Sequence, residues 1–284
     1  MSPPDDSEDR SARPPETVLL ADVGNSRIKL AAVVGHGGTS GGGRAGLPTI
    51  RHRQEIDNRG LRTNLLRQWL AVAAPGPAVI LVASVHDASA AVLEMALAEE
   101  SATGRRPLRQ RRIGHADLPW PPALAEPQRV GIDRLAAGAA AAVVKPEAEG
   151  AIIVDCGTAA TVDMVAADGR FLGGAILPGP SLMARALAQG TSKLPEVWAL
   201  EHADPPALPG RNTREAIAAG IGWGMRGAIA ELVARGRLVL GPSAPVILTG
   251  GWSRAILPAV PGATEMPDLV LLGIALAAER CLAR

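Results

Sequence analysis

The stretch VLLADVGNSRIKLAAV, residues 18–33, decides the fold because two apolar runs flank a short polar tip. Asp22 ends the first run, and Gly24, Asn25 and Ser26 follow before the apolar pattern resumes. Apolar runs bounded by turn-forming residues predict two buried strands joined as a hairpin. The glycine lets the backbone approach a ligand closely, and the small polar side chains add donors beside the turn amides. The tip therefore suits a phosphate group.

A second stretch, VDCGTAATVD at residues 154–163, repeats this arrangement with Asp155 and Thr158. One such tip alone is more often an ordinary hairpin turn in which Asp and Asn bond their own backbone. Two copies separated by a plausible lobe length favour two halves that face one ligand. An ionised Asp22 repels a bare phosphate, so we expect a magnesium ion beside it, with Lys29 adding a positive charge.

The composition narrows the classes of function. With 284 residues, the chain is long enough for one large or two ordinary globular domains. A net charge of +1 and only 2% aromatic residues argue against nucleic-acid and acidic-membrane partners. Two cysteines are too few for a disulfide framework and fit a reducing, cytoplasmic location. Residues 1–16 are polar and proline-rich, which predicts a disordered tail.

Strands and helices alternate in both halves of the chain. The patterns predict strands near residues 17–23, 27–34, 47–55, 78–85, 151–155, 160–166, 170–176 and 245–249, and helices near 58–73, 88–101, 180–188, 213–236 and 268–283 and from Asp133 onward. The basic segment RRPLRQRR, residues 105–112, is interpreted as a solvated face or loop. This alternation predicts an α/β protein of two lobes, residues 17–125 and 126–284, with a cleft between them.

The segment GIDR, residues 131–134, opens an alanine-rich run that is predicted to be helical. Asp133 is either the N-cap of this helix or an acceptor for a substrate proton, and its position alone leaves both open. Arg134 is correspondingly either a solvated first-turn residue or a fork of donors for a substrate carboxylate.

An ordered set of motifs covers nearly the whole chain after the tail: DVGNSRIK (22–29), GIDR (131–134), VDCGTAATVD (154–163), GGAILPG (173–179), NT (212–213) and LTGG (248–251). In this set the chain resembles the type III pantothenate kinases, within the actin, sugar kinase and heat-shock ATPase superfamily. The resemblance implies two ribonuclease H-like lobes that clasp ATP between a first and a second phosphate loop. It also implies ATP-dependent phosphorylation of pantothenate to 4′-phosphopantothenate, the first step of coenzyme A biosynthesis.

The resemblance further implies roles for individual residues. The ATP-binding set comprises Asp22, Val23, Gly24, Asn25, Ser26, Arg27, Ile28 and Lys29 in the first loop and Thr158 in the second. The pantothenate-binding set comprises Gly131, Ile132, Asp133, Arg134 and Thr213, with Asp133 as the catalytic general base. Asp155 is implied to lie at a metal site for a monovalent cation, K⁺ or NH₄⁺, and Mg²⁺ accompanies ATP.

One departure from the family concerns the acceptor pocket. The family commonly has a tyrosine nine residues before the GxDR aspartate, and this chain has Leu124 there. Either the pocket is rebuilt, with Trp120 supplying aromatic surface, or acceptor recognition has drifted. Two alternatives to a pantothenate kinase therefore stay open. One is an ATP-binding regulatory or scaffold protein of the same fold, and the other is a kinase for another small hydroxy acid.

The resemblance also bears on assembly. Family members form dimers whose substrate pocket lies at the interface, so we expect a homodimer. Gly220, Gly224 and Gly227 lie on related faces of one long predicted helix. Glycines so placed are expected to permit close packing, either between the lobes or across such a dimer.

Overall fold

Two five-stranded sheets form the framework of the chain. The computed structural model describes residues 17–34, 48–58, 60–104, 106–119, 123–144, 150–197 and 204–282, so the predicted tail at 1–16 lies outside the described residues. The first sheet contains β1 (Thr17–Val23), β2 (Arg27–Val34), β3 (Thr49–Asp57), β4 (Ala78–Ser84) and β5 (Leu108–Arg112). The second contains β6 (Gly150–Cys156), β7 (Ala159–Ala166), β8 (Phe171–Pro178), β9 (Val246–Thr249) and β10 (Thr264–Glu265).

Helices connect and cover these strands. They are α1 (Thr63–Ala73), α2 (Asp87–Ala102), α3 (Ile132–Val144), α4 (Pro180–Gly190), α5 (Thr213–Leu240), α6 (Ser253–Ile256) and α7 (Leu269–Leu282). The predicted α/β class with two lobes is confirmed.

The two sheets repeat one topology. The strand order is β3-β2-β1-β4-β5 in the first sheet and β8-β7-β6-β9-β10 in the second. In each sheet, the first three strands in the sequence pair antiparallel, β1 with β2 and β2 with β3, and β6 with β7 and β7 with β8. The last two strands pair parallel, β4 with β1 and β5 with β4, and β9 with β6 and β10 with β9. The repeat of the polar tips in the sequence thus reflects a repeat of whole ribonuclease H-like lobes.

Strand β1 is apolar on both faces because both faces are covered. Leu19 and Ala21 pack with α1 and α2 in one hydrophobic cluster. Val18 and Leu20, which alternate with them, face α3 and α7 in another. A strand buried on both sides reads as a continuous apolar run, as residues 18–21 do.

The helices α3 and α7 lie between the two sheets and pack directly on each other. Helix α3 contacts β6, β7 and β8 of the second sheet and β4 of the first, and α7, from the end of the chain, contacts β1 and β4. A Cβ on Gly273 would overlap the carbonyl group of Ala136 and lie 2.7 Å from its Cα. The glycine is therefore required for the close approach of the two helices. The domain boundary between residues 125 and 126 stays a prediction, and α7 attaches a segment of the predicted second lobe to the first sheet.

Helix α5 covers the opposite face of the second sheet. Five of its seven buried residues recur every four positions, at Ile217, Ile221, Met225, Ile229 and Val233. By length and composition alone, α5 could cross a membrane. One such helix is weak evidence, because the core helix of a globular protein passes the same test. The buried residues of α5 pack against the second sheet.

Two details of the sequence interpretation are wrong. The loop alternative for residues 105–112 fails because Leu108–Arg112 forms β5, an edge strand parallel to β4. Leu108 is its buried residue, and Arg112 pairs with Glu94 of α2. The helix predicted near residues 58–73 begins only at Thr63, after extended backbone at its N-cap.

Replacing Gly273 with alanine should lower the free energy of unfolding by about 3 kcal/mol or more, because the new methyl group meets backbone that cannot rotate away. Urea denaturation of the purified variant measures this. Gly190→Ala is the matched control, since Gly190 is also helical and a Cβ there meets nothing within 4 Å. The control should stay within about 1 kcal/mol of the wild type. Equal unfolding midpoints for the two variants would contradict the close packing of α3 on α7.

Candidate active site

Two acidic residues lie near the ends of equivalent strands. Asp22 is the last but one residue of β1, and Asp155 is the last but one residue of β6. Because side chains alternate along a strand, Asp22 shares a face with Val18 and Leu20, and Asp155 shares a face with Ile153. These are the faces that hold α3 and α7. Both carboxylates therefore lie between the two sheets.

These carboxylates belong to one electrostatic cluster. Burial raises the pKa of Asp22 to about 7 and the pKa of Asp155 to about 6. The Lys29 ammonium opposes the pKa rise at both residues, and the Asp133 carboxylate adds to it at both. Carboxylates that are poorly solvated and repelled by each other mark a candidate functional site.

The first loop is a tight turn at the tip of the β1–β2 hairpin. Gly24 N–H donates to the carbonyl of Arg27 at 3.0 Å. A Cβ on Gly24 would lie 3.3 Å from the same oxygen, so a larger residue would crowd the turn. Asn25 and Ser26 are exposed at the tip. The polar side chains at the tip of the loop are therefore accessible to a ligand.

Three further residues of the predicted ATP-binding set differ in what they expose. Val23 and Ile28 are buried in the cluster formed with α1 and α2, so that only their backbone is available to a nucleotide. Lys29 lies opposite Asp22 in the β1–β2 ladder and is partly buried.

The two predicted phosphate loops meet across the cleft. Ser26 Oγ of the first loop and Thr158 Oγ1 of the second lie 2.7 Å apart and form a hydrogen bond. The Arg27 guanidinium pairs with Glu55 at 3.1 Å. The same guanidinium lies 3.7 Å from where a Cβ on Gly251 would be. The sequence motifs at 22–29, 154–163 and 248–251 thus come together at one place.

Glycines of the LTGG motif shape the second loop. Gly250 has a φ of +90°, and a Cβ there would lie 2.5 Å from Asp155 Oδ1 and overlap the carbonyl of Cys156. The Trp252 indole N–H donates to the carbonyl of Gly157 at 2.8 Å. The loop after β9 therefore packs against the loop after β6 through backbone that only glycine permits.

Asp133 lies in the first turn of α3. Its Oδ1 accepts the N–H of Arg134 at 2.8 Å, so it stabilises the start of the helix without being its N-cap. Burial is the largest cause that raises its pKa. A Cβ on Gly131 would overlap Asp133 Oδ1, so a larger residue there would displace this carboxylate. Ile132 between them is buried in the core.

Arg134 is not a solvated first-turn residue. Its guanidinium forms a two-pronged ion pair with the buried carboxylate of Asp163, with Nε 3.1 and 3.2 Å from the two oxygens. Thr161 Oγ1 donates to the same carboxylate at 2.9 Å, and the guanidinium lies 5.5 Å from the centre of the Phe171 ring. Among the described residues, no hydrogen bond uses Nη1 of this guanidinium.

Thr213 is the predicted site residue that the chain does not bring to this cluster. It is the exposed first residue of α5, after the N-cap Asn212. Helix α5 covers the face of the second sheet opposite α3, where Asp133 lies. Within one chain, Thr213 and Asp133 are therefore on opposite sides of that sheet.

Leu124, at the position of the family tyrosine, packs against the core that contains α3. A Cβ on Gly173 would lie 3.1 Å from its Cδ2. Next to it, Ala123 N–H donates to the carbonyl of Phe171 at 2.9 Å. The leucine thus packs near Gly173 in the hydrophobic cluster that also contains Phe171. Trp120 lies outside the described residues.

Sequence reasoning missed two residues that contact the cluster. Asp163 is the last residue of the motif VDCGTAATVD, and no role was predicted for it. Residues two apart on a strand share a face, so its spacing from the apolar Val165 on β7 could have placed it on the inner face. Asn58 follows β3, and both its backbone and its side chain donate to the first loop. No local pattern marks it, because it meets that loop only through strand pairing.

Comparisons with known proteins match this arrangement to one family. A sequence model described as type III pantothenate kinase matches residues 18–235, which contain both loops, Asp133 and Thr213. The chain belongs to the type III pantothenate kinase family. The resemblance inferred from the ordered motifs is thereby confirmed.

Curated members of the family are similar over long stretches. The type III pantothenate kinase of Rhodopirellula baltica is 39% identical over 196 residues, which cover 67% of this chain and 68% of that protein. The one from Thermomicrobium roseum is 33% identical over 272 residues, covering 93% and 97%. The one from Anaeromyxobacter sp. is 33% identical over 273 residues, covering 93% and 99%. The similarity thus extends through both lobes.

A solved structure supports the fold. It is a Campylobacter jejuni protein described as a Baf family transcriptional activator, with a TM-score of 0.55 and 18% identity over 94% of this chain and 100% of that one. At this identity the likeness concerns the fold alone.

Asp163→Ala should lower the free energy of unfolding by about 3–5 kcal/mol, because it leaves the largely buried Arg134 guanidinium without its ion-pair partner. Chemical denaturation at neutral pH measures the change. Asp168→Ala is the matched control, since Asp168 pairs with Arg170 on the surface, where such pairs are worth about 1 kcal/mol or less. If both variants lost the same small amount, the Arg134–Asp163 pair would not be buried in solution.

Proposed function

We propose that this chain transfers the γ-phosphoryl group of ATP to the primary hydroxyl of pantothenate, giving 4′-phosphopantothenate in the first step of coenzyme A biosynthesis. The observation that carries the proposal is the contact between the two loops at Ser26 and Thr158, close to the Asp133 carboxylate, in a chain of this family. Phosphates held between the loops and an alcohol held at Asp133 would meet in line, which is the main requirement of phosphoryl transfer.

The nucleotide phosphates are assigned to the loops. The exposed tip residues Asn25 and Ser26 offer backbone and side-chain donors, and Lys29 and Arg27 offer positive charge. Thr158 supplies a hydroxyl from the other side. Charge-assisted hydrogen bonds of this kind are stronger than the neutral bond between the two hydroxyls that they would replace.

Mg²⁺ and a monovalent cation belong to this proposal. Asp22 and Asp155 fit them, because both are oxygen donors whose pKa values are raised by poor solvation, a condition that a bound cation relieves. We assign Asp22 to Mg²⁺ bound with ATP and Asp155 to K⁺ or NH₄⁺. Among the described residues, no group of three or more His, Cys, Asp or Glu side chains is arranged to hold a metal ion. Phosphate oxygens and water would therefore supply most ligands of Mg²⁺, which would neutralise charge on the phosphates.

Asp133 is assigned as the general base. As the alcohol oxygen bonds to the γ-phosphorus and the bond to the β–γ bridging oxygen breaks, the alcohol proton passes to the Asp133 carboxylate. Its raised pKa favours this transfer, because a more basic carboxylate holds the proton more strongly. The residue must still be ionised beforehand, so this role is lost when the pH falls below that pKa.

The acceptor is assigned to the start of α3. Gly131 and Ile132 would contribute backbone groups, and Arg134 would bind the pantothenate carboxylate through Nη1 while Asp163 holds the rest of the guanidinium. Leu124 would give this pocket an aliphatic wall where the family commonly has tyrosine. This is the rebuilt-pocket alternative.

A homodimer completes the acceptor pocket in this proposal, with Thr213 reaching the Asp133 of the other subunit. The separation of the two residues within one chain supports it. So do Gly220, Gly224 and Gly227, since a Cβ on any of them would meet nothing within 4 Å in the chain. Their expected close packing would therefore occur across the dimer and not between the lobes.

Two other functions are tested against this one. A regulatory or scaffold protein would bind ATP without transferring phosphate, and a kinase for another hydroxy acid would phosphorylate a different acceptor in a panel. Leu124, in place of the family tyrosine, is the observation that favours a kinase for another hydroxy acid. We place the enzyme in the cytoplasm, where ATP and reduced cysteines are maintained.

Asp133→Asn should lower kcat by about 10²–10⁴-fold while ATP binding persists, because the amide keeps the shape of the carboxylate but takes up no proton. Incubation with ATP, Mg²⁺ and pantothenate in potassium or sodium buffer, with phosphopantothenate detected by mass, measures this. Asp168→Asn is the control for a carboxylate-to-amide change on the surface. Near-normal turnover of Asp133→Asn would remove the residue from the mechanism, and no product from the wild type would refute the proposed function.

Mixing two variants of lowered activity should restore activity if Asp133 and Thr213 serve one site from different subunits. Asp133→Asn and Thr213→Ala are unfolded and refolded together, or co-expressed, in equal amounts. Half the dimers are then mixed, and each has one intact site, so about a quarter of wild-type activity is expected. Activity that does not exceed the sum of the separate variants would show that the two residues do not share a site across a dimer.

A further inference from the structure

Asn58 contacts the first phosphate loop from the side of β3. It is the residue directly after that strand. Its backbone N–H donates to the carbonyl of Ser26 at 3.1 Å, and its side-chain Nδ2 donates to the carbonyl of Gly24 at 2.5 Å. One residue therefore holds two carbonyl groups of a turn that is only four residues long.

These two bonds fix the direction of two peptide units. In a planar trans peptide the C=O and the following N–H point in opposite directions. Holding the Gly24 carbonyl therefore turns the N–H of Asn25 away from Asn58, and holding the Ser26 carbonyl does the same for the N–H of Arg27. Among the described residues, no hydrogen bond uses the Asn25 N–H. It remains a donor for a ligand.

The Asn58 side chain is held in an orientation that costs stability. Its Oδ1 is buried and has no hydrogen-bond partner among the described residues. Exchanging the oxygen and the nitrogen would place two oxygens against each other at Gly24, so the bond to the loop determines the orientation. A buried acceptor without a partner is unfavourable and rare in folded proteins. The bond to the Gly24 carbonyl is thus kept although it leaves Oδ1 without a hydrogen-bond partner.

We infer that Asn58 is a positioning residue for the nucleotide, which orients the amides of the first loop toward the phosphates. Successive N–H groups that point into one concavity bind anions, and a carbonyl that rotated into the same space would repel them. This inference rests on ATP use from the proposed function, and it does not depend on which acceptor is phosphorylated.

Asn58→Ala should weaken binding of a non-hydrolysable ATP analogue with Mg²⁺ by about tenfold, the effect of losing one well-placed hydrogen bond. Isothermal titration calorimetry measures this without any acceptor. The melting temperature should change little, because removal of the unsatisfied Oδ1 offsets the loss of the bond to the Gly24 carbonyl. In turnover assays KM for ATP should rise while KM for pantothenate stays unchanged.

Asn58→Asp tests the same bond with a side chain of equal size. An ionised carboxylate cannot donate to the Gly24 carbonyl and adds negative charge beside the loop, so this variant should bind the analogue more weakly than Asn58→Ala. Asn64→Ala is the control, because Asn64 is an exposed residue of α1 whose side chain bonds only locally, to Leu65 N–H. It should bind like the wild type.

Wild-type affinity in Asn58→Ala, or a loss of affinity that follows a lowered melting temperature, would overturn the inference. A rise in KM for pantothenate alone would do the same. Because the binding measurement omits the acceptor, failure of the wild type to phosphorylate pantothenate would refute the proposed function and leave the test of Asn58 intact.

Discussion

The packing of α3 on α7 between the two sheets is the constraint on which the site depends. The overlap that a Cβ on Gly273 would make with Ala136 shows how closely the two backbones approach. Each helix also packs on a sheet, α3 on the second and α7 on the first, so their contact fixes the distance between the sheets. Because Asp133 is in the first turn of α3, the same contact places its carboxylate near the ends of β1 and β6.

This apolar packing allows the site to retain unfavourable electrostatics. The carboxylates of Asp22, Asp133 and Asp155 all have raised pKa values with burial as the largest cause. Two cationic side chains oppose these pKa rises: Lys29 acts on Asp22 and Asp155, and Arg134 acts on Asp133. The guanidinium of Arg134 is itself largely committed to Asp163. A domain core stabilised by tens of apolar side chains can tolerate such a local cost, whereas a polar core of the same size could not. Poorly solvated carboxylates of this kind favour the binding of a cation or the uptake of a proton.

How far the sequence predicts this protein depends on the range of the interaction. The hairpin at β1 and β2 follows from local apolar runs around a polar tip, and its repetition at Asp155 predicts the second lobe. Segment 108–112 is harder to predict, because an edge strand buries little and its arginine Arg112 is paired by Glu94 of α2, 18 residues earlier in the chain. The ion pair between Arg134 and Asp163 joins a helix to a strand, so no local period reveals it.

The contact between the loops is of a different kind from the packing that holds the lobes. Ser26 and Thr158 are joined by one neutral hydrogen bond between exposed hydroxyls, worth about 1 kcal/mol net. A phosphate that accepts hydrogen bonds from both hydroxyls replaces that bond with stronger charge-assisted ones. The exchange leaves the α3–α7 contact untouched, because that contact is apolar and lies deeper between the sheets. The weak polar contact at the cleft is thus separate from the strong apolar packing beneath it, so that breaking the first does not require breaking the second.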